Sequence, residues 1–252
     1  VALKADTGEI VMDSPIEKAA LPDVLSTDGE NLYLRHRRFT LDGAEQPASV
    51  PHLYSPAGFL DGDWWHRTYW MVNTQMNSGW GSWPNQGQRV PSGRLLVLDD
   101  TNIYGFGRLN QYHRNGTHVG LGRAKYLLYG AALSVDDSDL EPWSTGIPVF
   151  ARSMVLSGET LFLAGPPDDL EYAPEEIADP YHITSEEQLV GLGESLAGQR
   201  GASLLTISTA DGSTLAETPL PAPPVWDGMA AAQGCLFITL RNGTLVRMQG
   251  EE

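Results

Sequence analysis

The sequence predicts an all-β fold in which short antiparallel strands form the blades of a β-propeller. Three observations predict it. A hairpin phrase returns along the chain, as Ser26-Thr-Asp-Gly-Glu-Asn-Leu-Tyr-Leu34, Ser157-Gly-Glu-Thr-Leu-Phe-Leu163 and Ala232-Gln-Gly-Cys-Leu-Phe-Ile238, with a related pair joining Leu95–Leu98 to Ile103–Phe106 through Asp99-Asp-Thr-Asn102. A second phrase, a strand running into an Asp/Gly turn and out again, appears at residues 3–10, at Phe39–Gly43 and at Leu205–Leu215. Asp and Gly tolerate the dihedrals of tight hairpins, so the repetition has a mechanical reason. Third, these strands follow one another with almost no helical text between them, which calls for sheets packed face to face.

Irregular returns of one phrase favour radial repetition of small sheets over a single sandwich. Strand groups fall at residues 22–45, 52–107, 125–165 and 202–249, giving about four blade equivalents and a partial ring. The whole of 1–252 reads as one β-propeller region with a polar, Pro-rich insertion at 166–199. Within that insertion Thr184-Ser-Glu-Glu187 is a capping box, and Leu189, Leu192 and Leu196 follow at helical spacing, so a helix is expected there. The insertion as a whole reads as surface decoration or a loop. Val1 stands where an initiator methionine would, and strand-like text begins at once, which suggests a start inside a longer polypeptide.

Composition narrows the partners. Sixteen basic residues against 32 acidic ones give a net charge of -16, yet charged residues are only 19% of the chain and apolar ones 41%, so the acidity is a shortage of cations in a chain able to fold. Such a field repels phosphate backbones and anionic lipid head groups, which argues against nucleic acid and membrane surfaces. No apolar run approaches the length that crosses a bilayer, so membrane insertion is not expected. Cys235, the single cysteine, sits in an apolar run and reads as a buried thiol; an intrachain disulfide is impossible. Asn115-Gly-Thr and Asn242-Gly-Thr fit a glycosylation pattern but read first as tight turns.

Three longer strings carry a family resemblance: Pro51-His-Leu-Tyr-Ser-Pro-Ala-Gly-Phe-Leu-Asp-Gly-Asp-Trp-Trp-His-Arg-Thr-Tyr-Trp70, Gly93-Arg-Leu-Leu-Val-Leu-Asp-Asp-Thr-Asn-Ile-Tyr-Gly-Phe-Gly-Arg108 and Pro223-Pro-Val-Trp-Asp-Gly-Met-Ala-Ala-Ala232. Together they resemble the pyrroloquinoline-quinone-like (PQQ-like) β-propeller repeat proteins of planctomycete-type bacteria, within the quinoprotein alcohol dehydrogenase-like superfamily. The resemblance implies radially packed four-stranded antiparallel blades in an exported protein, periplasmic or extracellular, often joined to further domains of the same polypeptide. It also implies PQQ as the cofactor to consider. Dehydrogenases of that superfamily hold the quinone between a tryptophan and a vicinal disulfide, with calcium on a carboxylate and an amide. One cysteine cannot make that disulfide, so no catalytic or cofactor residue is carried over.

The most unusual composition lies between Trp64 and Trp83, where five of the seven tryptophans fall. Flat aromatic faces beside polar donors suit stacking on sugar rings or a planar ligand, and they equally suit wedge-shaped gaps between blades. On the first reading Trp64, Trp65, His66, Arg67, Trp80, Trp83 and Arg108 form the ligand-binding set, with Asn73 and Asn77 as nearby donors. Arg67, Arg94 and Arg108 suit either an anion at a pore mouth or aromatic packing. Asp61 with Asp63, and Asp137 with Asp139 and Glu141, lack the pattern of a calcium loop, and the histidines, His113 and His118 included, are scattered; no metal site is expected. Dinucleotide, phosphate-loop and nucleophile-elbow motifs do not occur. The expectation is a non-catalytic scaffold or ligand-binding module taking carbohydrate or protein. A PQQ-dependent dehydrogenase-like oxidoreductase is the rival, and a structural spacer the third reading.

Overall fold

The computed structural model describes residues 1–13, 15, 25–34, 37–47, 51–54, 70–73, 91–107, 127–133, 143–168 and 186–250. A small hairpin comes first, β1 (Ala2–Leu3) with β2 (Ile10–Met12). Five antiparallel sheets follow. The first contains β3 (Leu25–Thr27), β4 (Asn31–Leu34), β5 (Arg37–Thr40) and β6 (Glu45–Gln46); the second contains β7 (His52–Tyr54), β8 (Trp70–Asn73) and β9 (Ser92–Gly93). The third contains β10 (Leu95–Leu98), β11 (Asn102–Gly107), β12 (Leu127–Ala132) and β13 (Trp143–Gly146). In the fourth, β14 (Ser153–Ser157) and β15 (Thr160–Gly165) pair with β16 (Ala202–Ser208) and β17 (Thr214–Leu220) across a connection that carries the helix α1 (Glu186–Leu196). The fifth contains β18 (Pro224–Ala232), β19 (Cys235–Leu240) and β20 (Leu245–Gln249). Among the described residues every one of these sheets is a meander in chain order, and three of the five have four strands.

The fold is thus mostly β, as expected, but the strands group differently from the spacing estimate. β10 and β11 belong with β12 and β13 and not with the preceding strands, and β14 and β15 belong with β16 and β17 and not with β12. The reason lies at Arg94. It is the single residue between β9 and β10, so the chain passes from one sheet to the next without a loop. Conversely, the long insertion before β16 interrupts one sheet while leaving its register intact, from Thr160↔Ser208 to Gly165↔Ser203.

The repeated phrases fall at repeated places. The hairpin phrase is the link between first and second strands in the first, third, fourth and fifth sheets. Two turn chemistries close it. In the first and third sheets Asp28 Oδ1 accepts from the Glu30 and Asn31 N–H groups at 2.9 and 2.7 Å, and Asp99 Oδ1 accepts from those of Thr101 and Asn102 at 2.7 Å each. In the fourth and fifth, two-residue turns use left-handed backbone at Gly158 and at Gln233-Gly234. The Asp/Gly phrase sits between β1 and β2, β5 and β6, and β16 and β17, the last two being third and fourth strands of their sheets.

Strand alternation gives the middle sheets two apolar faces. Leu161, Leu163, Leu205 and Ile207 of the fourth sheet pack with Tyr104, Phe106 and Leu128 of the third. On the opposite face, Phe162, Ala164, Ala202 and Leu204 meet Leu236, Ile238 and Leu240 of the fifth. The third sheet's other face, Leu96, Ile103, Tyr129 and Ala131, packs on Val72 of the second. At about 1.5–3 kcal/mol for each large side chain buried, these interfaces hold the sheets together. Along them, the first strands β10, β14 and β18 lie beside one another.

The expected helix is present. Leu192 is buried, Leu196 packs on the core shared by the third and fourth sheets, and the Arg241 guanidinium donates to the Leu196 carbonyl. Pro166 is fully buried and Val149 forms a bridge with Pro167, so the described ends of the insertion are docked on the sheets. Thr184 and residues 169–185 lie outside the described residues.

Two stability predictions follow from these contacts. A Cβ at Gly165 would stand 2.1 Å from the Phe150 carbonyl oxygen, a backbone atom that cannot swing aside. Gly165→Ala is therefore expected to lower urea-unfolding stability by about 1–3 kcal/mol. Asp28 receives the Tyr33 hydroxyl at 2.6 Å as well as its two N–H groups, and these bonds hold its carboxyl well below the ordinary 3.8. A depressed folded pKa stabilises above the ordinary value and loses that contribution as pH falls below it. The stability difference between wild type and Asp28→Asn should be largest near neutrality and shrink from pH 4 to pH 2 in thermal melts.

Candidate functional site

Trp64, Trp65, His66, Arg67, Trp80, Trp83 and Arg108 lie outside the described residues, as do Asn77, Asp61, Asp63, Asp137, Asp139, Glu141, His113 and His118. Of the tryptophan-rich segment, Trp70 is described: it lies in β8 and packs, half-buried, against the core between the second and third sheets. Arg94, the remaining arginine of the expected trio, is described and leads to a cluster that the sequence reading did not assemble.

Val97 pairs with Tyr104, Val155 with Phe162, and Ala230 with Phe237, so these three first-strand residues are equivalent. Three residues upstream of each stand Arg94, Arg152 and Asp227. Arg94 N–H donates to Phe106 O at 2.8 Å, and Arg152 N–H to Ala164 O at 2.9 Å, the same bond in neighbouring sheets. The Asp227 N–H instead crosses to Arg152 O, at 2.8 Å. A bulge between Pro224 and Met229 allows this. The buried Ser153 hydroxyl pins it, donating to Val225 O at 3.1 Å and accepting from Gly228 N–H at 2.8 Å. A Cβ at Gly228 would crowd the Val225 side chain, with Val225 O at 3.1 Å and Thr239 O at 3.2 Å, and Asp227 adopts φ 54°, a left-handed conformation uncommon outside glycine, asparagine and aspartate.

The bulge brings Trp226 between two cations. Its ring centroid is 5.0 Å from Arg94 Cζ and 5.9 Å from Arg152 Cζ. Arg94, only 8% exposed, also lies 5.2 Å from the Phe150 ring, which meets Phe106 edge-on. Arg152 Nε donates to Pro224 O at 3.1 Å, which fixes its guanidinium. Arg94 is thus an internal brace, whereas Arg152 and Trp226 are half-buried and Asp227 is exposed. Dense surroundings push the Asp227 carboxyl above its ordinary value although solvent still reaches it.

At the opposite, hairpin-turn end of the first strands, two clefts lie between sheets. One, about 430 Å³, lies between the third and fourth and is lined by Asp99, Tyr104, Gly130, Trp143 and Thr209; Trp143 Nε1 donates across it to Thr209 O at 2.9 Å. The other, about 480 Å³, lies between the fourth and fifth and is lined by Phe162, Thr206, Cys235, Met248 and Gln249. Cys235 is buried, as the sequence reading expects, and its thiol donates to Gln233 O at 3.6 Å.

Nothing described fits the quinone that the resemblance implies. The lone thiol is bonded to Gln233 in the fifth sheet's first hairpin, at the end of that sheet opposite the Trp226 cluster, and a vicinal pair is impossible. Among the described residues no three His, Cys, Asp or Glu side chains are grouped to hold a metal, and no helix is long and apolar enough to cross a membrane.

No protein-family model matches the chain, and no curated protein matches it significantly. The missed cluster did have a sequence signal. Arg94-Leu-Leu-Val-Leu98 and Arg152-Ser-Met-Val-Leu156 share Arg, Val and Leu at the same places, and aligning the third copy of the hairpin puts Asp227 in register with both arginines.

Asp227 supplies a pH test. A carboxyl raised by burial penalises the folded state once it ionises, and the penalty vanishes when the group is protonated in both states. Asp227→Asn, which suits the left-handed backbone at any pH, should therefore raise the melting temperature more at pH 7 than at pH 3.

Proposed function

We propose that this chain is a non-catalytic β-propeller scaffold, of the PQQ-like repeat type that its sequence resembles, serving as a ligand-binding module of an exported bacterial protein. The observation that carries the reading is the recurrence of one hairpin at the link between first and second strands of four sheets, with first strands β10, β14 and β18 side by side. Blades of a propeller have this order, because a right-twisted meander that is apolar on both faces packs against copies of itself around an axis. The strand starts then point toward one rim, where Arg152, Trp226 and Asp227 present a donor, an aromatic surface and an acceptor to a carbohydrate or protein ligand. The aromatic residues of the Trp64–Trp83 segment are the further ligand contacts this reading expects.

The test uses the complete protein. Supplied with PQQ and calcium, it should show no cofactor-dependent dye reduction, and on a glycan array or against extracellular protein fractions it should retain a ligand. Quinone-dependent turnover abolished by replacing pocket residues overturns the scaffold reading in favour of a dehydrogenase. Loss of ligand in Trp80→Ala or Trp83→Ala supports it.

A further inference from the structure

We infer that the cleft between the fourth and fifth sheets is a binding site for a neutral aromatic small molecule of the indole class, held against Phe162 and Met248 with its N–H on the Gly250 carbonyl. The inference goes beyond the scaffold reading and does not depend on it. It starts from the two clefts, which occupy the same place between successive sheets. Val97 pairs with Tyr104 and Tyr104 with Gly130 in the third sheet, as Val155 pairs with Phe162 and Phe162 with Thr206 in the fourth. Tyr104 and Gly130 line one cleft, Phe162 and Thr206 the other. On the facing sheet, Thr209 directly follows β16 and lines the first cleft, while Gly250 directly follows β20 and lines the second. The next position in the row differs: Gly130 pairs with Trp143, and Thr206 with Ala216. The Trp143 indole shows what such a cleft accepts. Its ring lies 6.2 Å from that of Tyr104 at 31°, and Nε1 donates to Thr209 O of the facing sheet at 2.9 Å. Ala216 brings no ring to the second cleft.

The walls of the second cleft select the ligand. Its volume, about 480 Å³, suits a small molecule, and its apolar lining includes buried Leu204 and Leu236 and half-buried Phe162 and Met248. Among the described residues that line it none is charged, whereas Asp99 and Glu159 both line the first cleft. An ionic group set against leucines without a counter-charge is costly, so the ligand is neutral. A phenyl ring and a thioether both favour an aromatic face over an aliphatic one. The Gly250 carbonyl, counterpart of the Thr209 oxygen that receives Trp143, only accepts hydrogen bonds, so the ligand carries a donor. Thr206 decides for a free molecule over a tethered side chain. A Cβ at Gly130 would stand 2.5 Å from the Trp143 ring, and Thr206 carries a side chain at that position. A ring fixed to residue 216 would meet it, whereas an untethered ring can stand off that backbone and still reach Phe162.

Ligand-observed fluorine NMR of 5-fluoroindole with the whole protein tests this. Wild type should bind it with a Kd of about 0.1–1 mM, the strength open to so small a ligand, and 5-fluoro-1-methylindole, which lacks the donor, several-fold more weakly. Ala216→Trp combined with Thr206→Gly copies the ring and the glycine of the first cleft into the second, and should weaken binding by about ten-fold or more. Met248→Gln, which keeps the side-chain length and makes that wall polar, should weaken it several-fold. Circular dichroism melts certify the fold of each variant. No binding by wild type, or binding untouched by the folded variants, overturns the site. Equal binding of the methylated probe overturns the hydrogen bond to Gly250. Displacement of the probe by N-acetyltryptophanamide at concentrations far below those of free indole overturns the small-molecule assignment in favour of a protein side chain.

Discussion

The fourth sheet has no polar face over its inner strands, and that constraint organises its surroundings. β15 alternates Leu161 and Leu163 to one side with Phe162 and Ala164 to the other, and β16 does the same with Leu205 and Ile207 against Leu204. A sheet apolar on both sides cannot stand at a surface; it needs a sheet on each side, and each of those inherits the same requirement on its far face. The third sheet meets it with Ile103 and Tyr129 against Val72. Polarity returns toward the outer strand, where β17 is exposed along nearly its whole length. Apolar residues are thus concentrated in the inner strands, and sheet-on-sheet burial falls off outward.

Hydrogen bonds also join neighbouring sheets at both ends of the first strands. Trp143 Nε1 of the third sheet reaches Thr209 O of the fourth, and within the fourth sheet the Thr209 N–H and hydroxyl both donate to Glu159 O at 3.1 and 2.9 Å. Gly130 and Gly212 leave room for that indole, since a Cβ at either would stand 2.5 Å from the Trp143 ring. At the opposite end Ser153 and Arg152 tie β14 to β18. The apolar middle supplies cohesion without direction; the polar ends fix how one sheet sits on the next.

Much of this was legible. Hairpins with Asp-Gly or Gly-Glu turns announce themselves because the turn dihedrals restrict the residues that fit, and Leu-Phe-Leu after the turn gives the second strand. The helix was legible from its capping box and from the spacing of Leu192 and Leu196, both of which face the protein. Sheet membership was not. Arg94 gives no sign that a sheet ends before it and another starts after it, because the break is a change of partner with no change in strand character. The Arg152–Trp226–Asp227 cluster was hidden for a related reason. Its members are far apart in sequence, and Asp227 differs in charge from the arginines whose position it shares, so only the strand register reveals the equivalence.

That equivalence also locates what differs about the fifth sheet. The Asp227-Gly228 pair tolerates left-handed backbone, but tolerance alone does not choose a bulge over a regular strand. The fourth sheet does, because Ser153 Oγ bonds both sides of it and Arg152 O takes the N–H released from the fifth sheet's own ladder. Since Arg152 supplies both the carbonyl that shapes the bulge and the guanidinium beside Trp226, the geometry of the cluster is set by how two sheets dock and not by either alone. A cluster built this way tolerates little relative movement of its sheets, and the buried Ser153 and Arg94, packed on Phe150 and Trp226, hold it in place.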